Sequence, residues 1–180
     1  MRIGGEVETL FREEQRFHQW WIYAVVLGTA VFAWYAFLRE VVLRRPPGGR
    51  PSPGWLMVLA WLLVGLGFPW LFLSTRLVVE VREDGLHYRY YPFHRRWHRL
   101  AREEIAEAKA RHYRPVLEYG GWGIRYGWKG GKAYNVSGNR GVQLVLRDGR
   151  KVLFGSRCPE ELEAALRKVL RGGRPPRQNA

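Results

Sequence analysis

The chain has 180 residues, 30 Lys and Arg against 16 Asp and Glu, and a formal net charge of +14 at pH 7. Such a balance directs it toward anionic partners, of which lipid headgroups and nucleic acid are the two abundant kinds. A single cysteine, Cys158, excludes an internal disulfide and a cysteine-built zinc centre and leaves the redox compartment open.

Residues 1–19 form an N-terminal interfacial segment. Val7, Leu10, Phe11 and Phe17 recur among charges at roughly helical spacing, which suits a short helix lying at a lipid interface and equally a solvated leader. Glu6, Glu8, Glu13 and Glu14 stand against Arg2, Arg12 and Arg16, the wrong balance for a secretory n-region. The small-x-small Gly28-Thr29-Ala30 lies inside an apolar run, so cleavage there is not expected.

Two uncharged apolar runs follow, Trp20 to Leu38 and Trp55 to Thr75. At about 1.5 Å per residue each reaches roughly the ~30 Å of a hydrocarbon core. Trp20, Trp21 and Tyr23 open the first run, Trp34, Tyr35 and Phe37 close it, and Trp55 and Trp70 rim the second, as aromatic belts do. Between the runs, prolines and glycines from Pro46 to Gly54 forbid a continuous helix, so residues 20–75 read as a transmembrane hairpin. Both termini then lie on one side. Arg2, Arg12, Arg16, Arg76, Arg82 and Arg89 flank that side, against Arg39, Arg44, Arg45 and Arg50 in the loop, which assigns the termini to the cytoplasm. No Asp, Glu, Lys, Arg or His lies inside either run, which argues against a transporter or proton pump.

Residues 76–172 read as strands followed by one helix. Leu77, Val79 and Val81 alternate with Val78, Glu80 and Arg82, Asp84-Gly85 turns the chain, and Leu86, Tyr88 and Tyr90 return. The pattern recurs at Val142, Leu144 and Leu146, with Asp148-Gly149 as turn and Lys151 to Phe154 as return. Trp97 to Leu100, Ala106 to Tyr113 and Trp122 to Tyr126 are further strands. Pro159 opens a helix with Glu160, Glu161 and Glu163 at its positive end and Arg167, Lys168 and Arg171 at its negative end; Gly172 stops it. Residues 173–180 read as a disordered tail. The order matches a pleckstrin-homology-like (PH-like) antiparallel barrel or split sheet capped by a C-terminal helix, giving an α+β membrane protein.

Four stretches carry a family likeness: Glu13-Glu14-Gln15-Arg16-Phe17, Val79 through Gly85, Tyr119 through Gly127, and Ala133 through Gln143. Together they resemble an uncharacterised family of small bacterial membrane proteins with two spans and a PH-like C-terminal domain. The resemblance implies a fold and a location in the bacterial inner membrane, and no reaction, cofactor or ligand.

Motifs of enzymes do not survive inspection. Gly121-x-Gly123 lacks the third glycine of a dinucleotide fingerprint, Tyr126 standing in its place, and Gly131-Lys132 lacks the Ser or Thr of a phosphate loop. Asn135-Val136-Ser137 fits a glycosylation sequon but reads as a strand end or turn. Ser137 and Ser156 have no elbow motif. His94 and His98 lie in a strand-like stretch whose alternating faces are expected to keep them apart, so no metal is assigned.

Two groups remain as candidate contact sites. Arg95, Arg96, Arg99 and Arg102, beside Trp97 and Tyr91, suit phosphate headgroups. Trp122, Arg125, Asn135, Asn139 and Arg140, in glycine-rich surroundings, suit a partner. The expected function is a non-enzymatic, membrane-anchored adaptor that presents a basic domain to anionic lipid or a protein. A small membrane enzyme is the rival. A nucleic-acid role ranks last, because no RNA-recognition or helix-turn-helix pattern accompanies the basicity.

Overall fold

The computed structural model describes residues 9–43, 53–127 and 131–172. The expected leader before residue 9, most of the inter-helix connection, Lys129 with its neighbours and the tail after residue 172 lie outside the described residues. The chain divides into two units, one of residues 17–75 and one of the residues on either side. The fold class is α+β, with two apolar helices and two sheets.

In the first unit, α1 (Trp20–Val42) and α2 (Gly54–Ser74) are each long and apolar enough to cross a membrane by length and composition. Only Ile22, Val26 and Ala30 of α1, spaced one turn apart, are buried. Gly65 is the buried position of α2. A Cβ there would stand 3.0 Å from the Trp61 ring of the same helix and 3.6 Å, an ordinary contact, from the Ala33 methyl of α1, so glycine leaves room for the Trp61 ring at this point of approach. The Trp61 ring stacks on Phe37 at 4.7 Å and meets Trp34 edge-on at 5.0 Å, and Phe17 packs on Phe72 at 4.8 Å. α2 widens into π-helical turns over Trp61–Gly67, just ahead of Pro69, which has no N–H to return to the preceding turn.

Among the described residues, the second unit is built from nine strands and two α-helices, with a 3-10 turn at Arg102–Glu104. β1 (Thr9–Arg16), β2 (Arg76–Arg82), β3 (Gly85–Tyr91) and β4 (His98–Ala101) form an antiparallel sheet in that order. β5 (Ile105–His112), α3 (Pro115–Tyr119), β6 (Gly123–Gly127), β7 (Gly131–Asn135), β8 (Arg140–Leu146) and β9 (Lys151–Gly155) follow, the second sheet having the order β5-β8-β9-β7-β6. The final helix, α4 (Pro159–Gly172), packs on β5 and β8 and across β1, β2 and β3. Its Leu162 and Leu166 are wholly buried, as are Leu77, Val79 and Val81 of β2 and Leu144 of β8, strands against which α4 packs. Each such leucine contributes about 2 kcal/mol of apolar burial.

Three sequence expectations are corrected here. Thr9–Arg16, read as part of an interfacial segment 1–19, is a strand paired in register with β2, from Arg12 opposite Glu80 to Arg16 opposite Arg76. Its inward positions alternate as a strand requires, but two of them, Glu13 and Gln15, are polar and hide the pattern. The hairpin is therefore inserted in sequence between two hydrogen-bonded strands, and the polar unit does not begin at residue 76. Secondly, among the described residues the two sheets do not close into a barrel; α4 and the β1 side chains join them instead. Thirdly, the second sheet is not wholly antiparallel, since β7 runs parallel to β9, Tyr134 opposite Phe154.

Candidate functional site

Asn135 ends β7 and is completely enclosed. Its Oδ1 accepts the Gly123 N–H at 2.9 Å, its Nδ2 donates to the Tyr113 hydroxyl at 3.1 Å, and its carbonyl accepts the Tyr90 hydroxyl at 3.3 Å. Burial pushes the Tyr113 hydroxyl up to about 12 and raises Tyr90 further, so both phenols stay protonated donors and acceptors at any physiological pH. Next to this node, Gln15 Nε2 donates to the Gly155 carbonyl at 2.6 Å. Glu13 accepts from Ser156 Oγ at 2.6 Å and from the Arg157 N–H at 2.8 Å. β1 is thus fastened to the end of β9 and to the approach of α4. Asn135 offers no surface to a partner; its amide holds β6 and the Tyr113 segment together.

The companions chosen with Asn135 share its end of the sheet but serve different ends. Trp122 donates its indole N–H to the Gly138 carbonyl at 2.9 Å, and Arg125 Nε donates to the Trp122 carbonyl at 3.0 Å. The Asn139 carbonyl accepts the Tyr113 N–H at 2.8 Å while its side chain is exposed. Arg140 pairs with Glu160 in the first turn of α4. Arg125 and Asn139 are the exposed members.

On the other face of β7 from the inter-sheet core, α3 covers Ala133 and Leu153 with Tyr113 and Tyr119. Glu118 receives Arg111 at 2.8 Å, and Arg111 also reaches Gln143 at 3.1 Å and the Tyr119 hydroxyl at 3.2 Å. Arg111 and the Arg114 backbone N–H hold the Glu118 carboxyl below its usual value against a burial that pushes it up. A five-residue helix gives no periodicity, and sequence reasoning missed it. Its one signal is Gly127, where a Cβ would lie 2.6 Å from the Glu118 carbonyl.

The basic stretch divides. Arg99 pairs with Asp84 at 2.9 Å and Arg102 with Glu103 at 2.7 Å, while Arg95 and Arg96 are exposed and form no ion pair with any described residue. Sequence reasoning also missed the outer face of the first sheet, where alternate residues of β1–β4 bring Arg12, Arg16, Arg76, Arg82, Arg89 and Arg99 together. Glu80 bridges Arg12 at 3.2 Å and Arg82 at 2.7 Å; Glu14 bridges Arg16 at 2.9 Å and Arg76 at 3.4 Å. The hydrogen bond from Arg16, with Arg76 behind it, holds the Glu14 carboxyl low. Arg89 pairs with no carboxylate among the described residues; it lies over Trp97 at 5.1 Å, with Arg82 at 5.8 Å from the same ring. The period-two spacing of these arginines was the available signal.

His94 and His98 are not kept apart, as their strand-like setting had suggested. The chain turns between β3 and β4, and the two rings lie 4.2 Å apart between centroids. His98 stacks on Tyr88 at 5.4 Å, His94 meets Tyr134 edge-on at 5.7 Å, and the Tyr88 and Tyr134 hydroxyls are 3.3 Å apart. Among the described residues, no group of three or more His, Cys, Asp or Glu could hold a metal ion.

Fold and surfaces define an α+β protein of two stacked sheets and a closing helix, with an apolar helical hairpin inserted after its first strand. The chain belongs to a family of unknown function, DUF6141, whose profile matches residues 3–171. Comparison with curated proteins gives no match.

Proposed function

We propose that this protein is a membrane-anchored, non-enzymatic adaptor whose PH-like unit, held at the inner leaflet, engages anionic lipid or a protein partner. One observation carries the reading: only 17% and 6% of the most apolar stretches of α1 and α2 are buried. Soluble monomers rarely leave apolar patches beyond a few hundred Å² open to water, and lipid is the solvent that such helices accept. The chain enters α1 three residues after β1 and leaves α2 one residue before β2, so the polar unit is tethered at two adjacent strands. Its arginine-rich sheet face and the unpaired Arg95 and Arg96 supply the positive field that attracts anionic headgroups, each well-placed arginine contributing on the order of 1 kcal/mol.

The anchor is tested by washing membranes that contain the full chain at alkaline pH. Retention in the pellet supports it; release of folded protein into the supernatant would sink it. A reporter at either terminus that works only outside the cytoplasm stays silent if the assigned orientation is right. For the adaptor role, Arg125→Ala and Asn139→Ala in the full chain reduce co-purification of any partner. Unchanged recovery removes that surface from the proposal.

A further inference from the structure

We propose that His94, His98 and Lys132 form an anion site that takes a phosphate group, free or as a monoester. The three come from separate places in the chain and meet around two phenol rings. The turn between β3 and β4 supplies His94, the start of β4 supplies His98, and β7 supplies Lys132, whose ammonium stands 4.8 Å over the Tyr134 ring and 5.4 Å from that of Tyr126. None of the three basic side chains is ion-paired with any described residue. Arg99, on the same strand as His98, is paired with Asp84.

His94 Nδ1 is buried and has no hydrogen-bond partner among the described residues. Orphaned buried nitrogens are uncommon and cost about 1–3 kcal/mol. When charged, these groups also repel one another. An anion among them offsets this repulsion, its oxygens accepting from the imidazole N–H groups that solvent reaches and from the ammonium. Phosphate suits the set better than carboxylate because it offers three terminal acceptors to three donors and carries up to two charges near neutral pH. A metal cation is opposed by Lys132, and neither a carboxylate nor a thiolate accompanies the histidines.

The electrostatics agree with this geometry. His94 is held below the usual histidine value, first by burial, then by His98 and by Lys132. The titratable groups around it are Tyr88 on β3, His98 on β4, Tyr126 on β6 and Lys132 and Tyr134 on β7. Arg95 and Arg96 lie in the same turn. A bound anion reverses the local sign and favours the imidazolium, so binding takes up a proton. The inference does not depend on whether the hairpin crosses lipid.

The chain has five histidines, so imidazole resonances of the full, detergent-solubilised protein read the site directly. Sodium phosphate at constant ionic strength is the first probe, and nanodiscs of phosphatidylcholine with or without phosphatidic acid are the second. The His94 and His98 signals move saturably, the His94 titration midpoint shifts to higher pH, and Lys132→Gln weakens binding about tenfold, as loss of one charge-assisted hydrogen bond requires. His87 and His112 stay still. Saturation with free phosphate identifies a soluble ligand; movement only with phosphatidic acid identifies a headgroup. The proposal fails if neither probe moves His94, if all histidines move alike, or if Lys132→Gln binds as tightly as the parent.

Discussion

The two units invert each other's logic. In residues 9–16 and 76–172, large apolar side chains such as Leu77, Phe154 and Leu162 are shut inside and arginines coat the sheet. In residues 17–75 the large ones, Val31, Phe32, Leu63 and Trp70, point outward, and the contact between helices includes Ala33, Gly65 and a few rings. The first pattern is what water selects. The second follows when the surroundings are as apolar as leucine, so that close backbone approach rather than burial of bulk brings helices together.

The sharpest way to break this contrast is to cut matching leucines in each unit. Leu162→Ala leaves a hole under α4 and costs the polar unit about 2–5 kcal/mol, read by pulse proteolysis of the detergent-solubilised chain. Leu63→Ala, on an outward face, leaves hairpin stability within about 0.5 kcal/mol. Equal losses would erase the distinction.

Next in size is Gly127→Ala, which drives a methyl into the Glu118 carbonyl and the Tyr119 ring. Overpacking of this kind costs about 1–3 kcal/mol, and hydrogen exchange locates the loosening at α3 and β6 while α4 stays protected. Exchange that rises everywhere would mean that α3 is integral to the whole unit.

Removing the enclosed amide with Asn135→Ala strands the Gly123 N–H and costs about 1–3 kcal/mol, measured by urea unfolding. Glu13→Gln is milder, since it weakens two contacts without emptying the site. A null result at Asn135 would mean that its amide does not hold β6 to the Tyr113 segment, and one at Glu13 that its bonds to Ser156 and Arg157 do not fasten β1.

The smallest effect is on pH. Glu14 is depressed by Arg16, while Asp84 is pushed up by burial and pulled lower on balance by His87 and Arg99. The stability these carboxylates contribute is present above the ordinary carboxylate value of about 4 and fades as pH falls through their lowered values. His94, also lowered, acts in the same direction from about pH 6.5 downward, because the unfolded chain takes up the proton first. Unfolding midpoints therefore fall on acidification in the absence of phosphate, and His94→Gln flattens the upper part of that slope.

Where local pattern and tertiary role agree, the sequence is readable. The Asp84-Gly85 and Asp148-Gly149 turns, the alternation in β2, β3 and β8, and the Pro159-to-Gly172 helix all have local causes, and the structure has each. β1 escaped because Glu13 and Gln15 face inward to serve Ser156, Arg157 and Gly155, contacts made with residues about 140 positions away. β7 escaped because its five residues, Gly131–Asn135, are too few to show an alternation, although it is the antiparallel partner of β6. Of the candidate site, Asn135 was recognised by residue type but its enclosure depends on Tyr90 and Gly155, which no local window contains. The histidine pair was hidden by a turn within a stretch that reads as strand.

The pairing of Arg16 with Arg76 across roughly sixty intervening residues sets an order of events during synthesis. At about 5–20 residues per second, the ribosome delivers the second strand some 3–12 s after the first. Until then the nascent N-terminal strand has no edge to bind. If the inserted segment crosses a bilayer as proposed, both of its ends must emerge into the same compartment, and a topology error that strands one end on the far side would leave the sheet unable to assemble at all.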